Sequence, residues 1–175
     1  MIKPLETHYA GHRFRSRLEA RYAVFLDNLG VRWEYEPQGY RLPSGPYLPD
    51  FWLPDVRDGM WLEIKPKDAP EDPRHEELAE STGRDVAVAS GMPWAGESED
   101  WIWVYFGDGG GDGPYAFQVC PDHGEVVCEF EGYASRGCSR CLHENQQVEH
   151  HPRIVAALDA GRMARFEHGE SGAPA

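Results

Sequence analysis

Between Leu48 and Lys67 the chain places the residues best suited to chemistry. It reads Leu-Pro-Asp-Phe-Trp-Leu-Pro, a short polar break, then Met-Trp-Leu-Glu-Ile-Lys-Pro-Lys. Two apolar strands fit this pattern. One begins at Pro49-Asp50; the other carries Glu63 and Lys65 on one face and Ile64 on the opposite face, because strand side chains alternate. Asp50 and Glu63 are hard oxygen ligands of the kind Mg²⁺ takes, and Lys65 would stand beside a water activated by such an ion. The plainer alternative is a hairpin with one wet face, on which Glu63 and Lys65 form a surface pair of little energetic worth. Pro-Asp at a strand start, thirteen residues ahead of Glu-x-Lys, favours the metal site.

Positioning these side chains takes a sheet and helices to brace it. Residues 1–13 read as irregular. From Phe14 the apolar residues Leu18, Tyr22, Phe25, Leu26 and Leu29 recur at helical spacing, and Gly30 supplies a C-cap. Glu19 stands one position round from Leu18 and can project from the edge of the apolar face toward the sheet, or pair locally with arginines as a solvated helix residue. Arg13, Arg15, Arg17 and Arg21 line the other side, either as a solvated face or as a phosphate-contact surface. Strands are expected over Val31–Tyr35, Tyr40–Ser44, Tyr47–Leu53 and the Glu63 segment, with Ser44-Gly45-Pro46 as a hairpin loop. Asp72 and Pro73 suit the start of a short polar helix over Arg74–Thr82, ended by Gly83. Asp85–Ser90 reads as a buried strand and Trp101–Phe106 as an aromatic one. Trp94, Trp101 and Trp103 can stack on bases, although packing in a core or at a sheet edge is the commoner use of such residues.

The formal net charge is −13 over 175 residues, which argues against non-specific coating of nucleic acid. The charge is uneven. Residues 1–67 hold ten Lys/Arg against nine Asp/Glu, a net of +1, and the remaining residues carry −14. The acidic excess therefore lies outside the segment with candidate chemistry. No run of about 18 apolar residues exists, so no membrane span is expected. The N-terminus lacks the apolar region of a secretory signal, which makes the cytoplasm the expected compartment, where four cysteines bind metal or stay reduced.

Phe14-Arg-Ser-Arg-Leu-Glu19, Val31-Arg-Trp-Glu-Tyr-Glu36, Tyr47-Leu-Pro-Asp50-Phe-Trp-Leu-Pro54 and Trp61-Leu-Glu63-Ile-Lys65, in that order, resemble the PD-(D/E)xK nuclease superfamily. The similarity is to the phage endonuclease I type of Holliday-junction resolvase and its small phage and transposon-end relatives, and it covers roughly residues 9–90. The resemblance implies a restriction-endonuclease-like αβββαβ core of the α/β (α+β) class and a metal-dependent DNA endonuclease that hydrolyses phosphodiesters in branched or duplex DNA. Asp50 and Glu63 would hold catalytic Mg²⁺ (or Mn²⁺) with the carbonyl of Ile64. Lys65 would orient or deprotonate the attacking water, and Glu19 would assist a second Mg²⁺. The chain departs from those resolvases in following Glu-x-Lys with Pro66-Lys67 rather than Gly, in its acidity, and in lacking an identifiable dimer-swapping strand. Substrate and oligomeric state are thereby less constrained than the catalytic set. The competing reading is a catalytically inactive nuclease-fold module that binds DNA or protein.

Gly107–Pro114 reads as a flexible linker closing a core of residues 1–106. A second unit over 115–145 contains Cys120-Pro-Asp-His123 and Cys138-Ser-Arg-Cys141, with Gly124 and Gly137 where knuckle turns need them. This is zinc-ribbon spacing, a structural Cys₃His Zn²⁺ site, with His143 as the alternative to His123 and metal-free cysteines as the plain reading. Zinc would explain how a short segment with few aliphatics folds. The ribbon would serve DNA or protein docking, a homodimer included; a zinc-ribbon adaptor for partner recruitment is a third reading of the whole chain. Cys128 reads as a small buried strand residue. His150-His151 beside Glu149 reads as solvated. A terminal helix is expected within 146–167, with Ile154, Ala157, Leu158 and Met163 on one face, followed by a disordered tail over 168–175.

Overall fold

The computed structural model describes residues 6–92, 102–120, 122–130 and 151–166. Trp94, Trp101, Gly137, Cys138, Cys141, His143, His150 and the tail from 168 lie outside them.

The segment expected to be irregular forms a hairpin, β1 (Thr7–Tyr9) with β2 (His12–Phe14), turned by Ala10 and Gly11 at positive φ. Phe14 therefore ends a strand rather than opening the helix. Helix α1 (Arg17–Leu29) starts one turn later because Ser16 caps it: its Oγ accepts the Glu19 N–H at 3.2 Å. Gly30, at φ 76°, ends it in the left-handed conformation that glycine adopts without a Cβ penalty. Tyr22, Phe25, Leu26 and Leu29 are fully buried, each contributing on the order of 1.5–3 kcal/mol.

The sheet strands follow. β3 (Glu34–Tyr35) is only the end of the stretch expected over 31–35. β4 (Tyr40–Leu42) and β5 (Gly45–Tyr47) form a separate two-stranded hairpin. β6 (Phe51–Leu53) and β7 (Met60–Lys65) pair antiparallel, with Phe51 opposite Leu62. Helix α2 (Arg74–Thr82) crosses to β8 (Val86–Ser90), which runs parallel to β7 with Glu63 opposite Val88. The Asp72 carboxylate accepts the Arg74 N–H at 3.0 Å at the start of α2. β9 (Ile102–Tyr105) pairs antiparallel with β8.

The expected boundary at 107–114 is overturned. Gly111–Val119 is one strand, β10, paired with β9 on one side and with β11 (Val126–Phe130) on the other. The sheet has seven strands, ordered β11-β10-β9-β8-β7-β6-β3. Residues 115–119 and 126–130 are thus part of the core sheet, and residues 131–145 of the expected second unit lie outside the described residues. Glycine is required here for close approach: a Cβ on Gly111 or Gly113 would come within 2.8 Å of the Trp103 ring. Glycines whose density suggests a linker instead make room for an indole.

Two apolar clusters cover the two faces. Helix α1 and helix α3 (Pro152–Met163) pack with Leu62, Ile64, Ala87, Ala89, Ile102, Val104 and Phe117 on one face. Leu42, Tyr47, Leu78 and Ala79 pack with Trp61 and Val86 on the other. Ile154, Ala157 and Leu158 of α3 are buried as expected, but Met163 is 77% exposed, because the helix ends there and the following Ala164 and Phe166 take up the inward positions. The result is a mixed α/β chain of the α+β kind with a large mixed sheet. Among the described residues no helix is long and apolar enough to cross a membrane.

Candidate functional site

Strands β6 and β7 bring Asp50 and Glu63 together. Extending the Phe51–Leu62 register by one residue sets Asp50 opposite Glu63, and each carboxylate accepts a backbone N–H from the opposite segment. The Asp50 N–H donates to Glu63 Oε1 at 3.1 Å, and the Ile64 N–H donates to Asp50 Oδ2 at 2.9 Å. Lys65 lies on the same face as Glu63; its Nζ is 2.8 Å from Glu63 Oε2 and 3.9 Å from Asp50 Oδ2. Asp50 is 4% and Glu63 1% exposed, so the wet hairpin face on which Glu63 and Lys65 would form a surface pair does not exist here.

Asp50 and Lys65 line a cavity of about 500 Å³ together with Ile64, Glu19, Arg15 and Arg74. Glu19 reaches this cavity from α1, but both of its oxygens are occupied. Oε1 accepts from Ser16 Oγ at 2.6 Å, and Oε2 accepts from the Tyr35 hydroxyl at 2.6 Å and the Arg15 N–H at 3.1 Å. It closes a capping arrangement at the helix start as well as facing the site. Arg15 bridges Glu36 and, at 3.4 Å, Asp50.

The electrostatics reflect crowding of acids in a buried place. Burial pushes the Asp50 carboxyl well above the ordinary carboxylate range, and Glu63 adds to this, while Lys65 opposes it. Lys65 is raised: burial disfavours its charge, but Glu63 and Asp50 outweigh that. The Tyr47 hydroxyl is pushed up by burial and then by Glu63. Burial holds His75 below its usual value against the pull of Glu63. Asp72 is held at about 2 by its hydrogen bonds from Arg74.

A divalent cation fits this donor set. The Tyr47 hydroxyl and His75 Nε2 are buried beside Glu63 with no hydrogen bond of good geometry among the described residues, the mark of a polar place built for a further species. A bound cation would also reverse the pressure on Asp50. Among the described residues no three His, Cys, Asp or Glu side chains cluster as a metal cage. Mg²⁺ takes one or two carboxylates and keeps several waters; Asp50 and Glu63, with the Ile64 carbonyl, are the residues that would hold such an ion.

Sequence reasoning did not single out His75 or Tyr47. His75 is 3% exposed, and its Nε2 is 4.0 Å from Glu63 Oε2. Nothing local in a polar helix announces a buried histidine; only its packing between Tyr47 and Tyr105 does. Arg74 is legible as a helix residue but not as a wall of the cavity. It stacks over the Tyr47 ring at 4.9 Å. The expected arginine surface breaks up: Arg15 faces the site, Arg13 pairs with Glu6, and Arg21 donates to the Ala164 carbonyl.

Of the residues expected to hold zinc, Cys120 and His123 are described, in the turn between β10 and β11. Cys120 Sγ and His123 Nδ1 are 3.6 Å apart, the edge length of ~3.6 Å that a tetrahedral zinc with ordinary Zn–S and Zn–N bonds requires. The turn is knuckle-like: the Cys120 N–H donates to the Glu125 carbonyl, the Gly124 N–H donates to the Cys120 carbonyl, and Gly124 has φ 65°. Cys138 and Cys141 lie outside the described residues. Cys128 is fully buried in β11, and burial pushes its thiol up to about 12.

No protein-family model matches the chain, and no curated protein or solved structure matches it.

Proposed function

We propose that this protein is a divalent-metal-dependent DNA endonuclease with a restriction-endonuclease-like core, hydrolysing phosphodiester bonds in branched or duplex DNA. The observation that carries the reading is the Asp50–Glu63 pair with Lys65 Nζ within 3.9 Å of both, where Asp50 and Lys65 line an open cavity. The order α1, β3, β6, β7, α2, β8 supports the αβββαβ core that the motif resemblance implies.

In this reading Asp50 and Glu63 hold Mg²⁺ or Mn²⁺, which supplies charge neutralisation and an activated water when bound. Lys65 hydrogen-bonds the attacking water and withdraws charge from the phosphorane. Arg15 and Arg74, which also line the cavity, receive the phosphates that flank the cut. Glu19 fixes the start of α1 and, through Tyr35, the edge of the sheet, and it faces the position of a second ion. Cys120, His123, Cys138 and Cys141 hold structural Zn²⁺ at the β10–β11 turn, a place for docking DNA, a protein partner or a second copy.

The test is nicking of supercoiled plasmid with Mg²⁺ or Mn²⁺, comparing wild type with Asp50→Ala and Lys65→Ala. Loss of two or more orders of magnitude in both variants is expected. Equal activity in all three proteins would remove the hydrolase. A second reading, an inactive nuclease-fold binding module, is favoured by one observation: the Arg15 guanidinium already stands against Asp50. It expects metal-independent DNA binding and no nicking.

A further inference from the structure

A second cavity, about 200 Å³, adjoins the candidate site and shares Lys65 with it. Its other walls include Ser90, Trp103, Tyr105 and His75. Strand pairing sets Glu63 opposite Val88 and Val88 opposite Trp103. These three residues therefore form one row across a single sheet face, with Trp103 two strands, roughly 10 Å, from Glu63.

Trp103 is 46% exposed, unlike its strand neighbours Ile102 and Val104, which are 1% and 0% exposed. It is not loosely placed. Gly111 and Gly113 of β10 lie close against its indole, and a Cβ on either would meet the ring at 2.8 Å. The missing side chains form a flat bed for the indole and leave other parts of it open beside the cavity. An exposed, firmly bedded tryptophan next to a phosphate-handling lysine is a stacking surface. Glu71, on the same cavity wall, and the nearby Glu76 and Asp72 surround the Tyr105 hydroxyl with negative charge. That charge repels a second backbone phosphate but admits an uncharged ring.

Resting on the nuclease reading above, we propose that Trp103 is the platform on which an unpaired nucleobase stacks beside the phosphate at Lys65, so that the substrate is DNA with unpaired nucleotides flanking the cut. A continuous duplex keeps its bases stacked on one another and has no ring to offer, whereas a single strand, flap or branch point does.

The test is binding by the full chain without added Mg²⁺, read by fluorescence anisotropy. The probes are a labelled oligothymidylate of about fifteen nucleotides and an abasic strand of equal length, which keeps the phosphates and lacks the bases. Wild type is expected to bind the oligothymidylate about 5- to 150-fold more tightly than the abasic strand. Trp103→Ala should abolish that preference while leaving abasic binding within about twofold, and Trp103→Phe should restore most of it. Equal binding of the two strands by wild type overturns the proposal, and so does a preference that survives in Trp103→Ala. The wild-type comparison needs no variant and stands even if Trp103→Ala misfolds. Cleavage of a flapped duplex in Mg²⁺ is scored separately: cleavage without base preference removes the platform and keeps the hydrolase, and base preference without cleavage does the reverse.

Discussion

Replacing Asp50 with asparagine separates the needs of the site from those of the fold. Without metal, the Asp50 carboxyl is raised above its ordinary range by burial and by Glu63. Between the ordinary carboxylate value of about 4 and the raised native value, the folded chain keeps a proton that the unfolded chain has lost. The unfolded state then binds fewer protons, so stability falls as pH rises through that window, by up to about 1.4 kcal/mol per pH unit. The asparagine amide cannot titrate, and its oxygen can still accept the Ile64 N–H, now 2.9 Å from Asp50 Oδ2. Lys65 keeps its 2.8 Å contact with Glu63. Asp50→Asn without added Mg²⁺ near pH 8 is therefore expected to gain about 1–2 kcal/mol, the relief of a buried group whose charged form lacks full compensation. For a chain of this size that is a rise in Tm of roughly 2–8 °C. Mg²⁺ at about ten times its Kd should stabilise wild type by ~1.4 kcal/mol and leave Asp50→Asn unchanged. The assay is urea and thermal unfolding from pH 5 to 8, with and without Mg²⁺. A variant less stable than wild type without added Mg²⁺, or one as responsive to Mg²⁺, would refute the reasoning, because Asp50 would then be a structural acid.

Three further outcomes are expected. Gly59, at φ 97° in the β6–β7 turn, would place a Cβ 2.6 Å from the Trp52 ring; Gly59→Ala should cost about 1–3 kcal/mol by urea unfolding and should lower Mg²⁺ affinity by shifting the Asp50–Glu63 register. Cys128, fully buried with its thiol pushed up to about 12, should resist iodoacetamide at pH 8 in the native protein and react on unfolding; mass-mapped alkylation at native rates would contradict its burial. Stoichiometric zinc should be lost from Cys120→Ser and Cys138→Ser alike, and undiminished zinc in either would break the ligand set.

Sequence alone settled the local decisions about this protein. Gly30 fixes the C-terminal end of α1 through a backbone conformation available within a few residues of it, whereas the Ser16 cap that starts the helix after Phe14 emerged only from the structure. The alternation of Glu63, Ile64 and Lys65 assigns sheet faces with no knowledge of the partner strand, and Gly83 stops α2 for the same reason as Gly30. What lay beyond reach was everything set by distant pairing. Gly107–Pro114 has the composition of a linker, and only the indole of Trp103 lying against Gly111 and Gly113 shows why glycine is there. The extension of the sheet through β10 and β11 follows from hydrogen bonds between segments whose own periodicity names no partner. His75 and Tyr47 became members of the site only when α2 and the β4–β5 hairpin closed over the face that carries Glu63. Local propensity is written in neighbouring residues; burial of an acid, and the company it keeps, is a property of surfaces that meet only once the chain has folded.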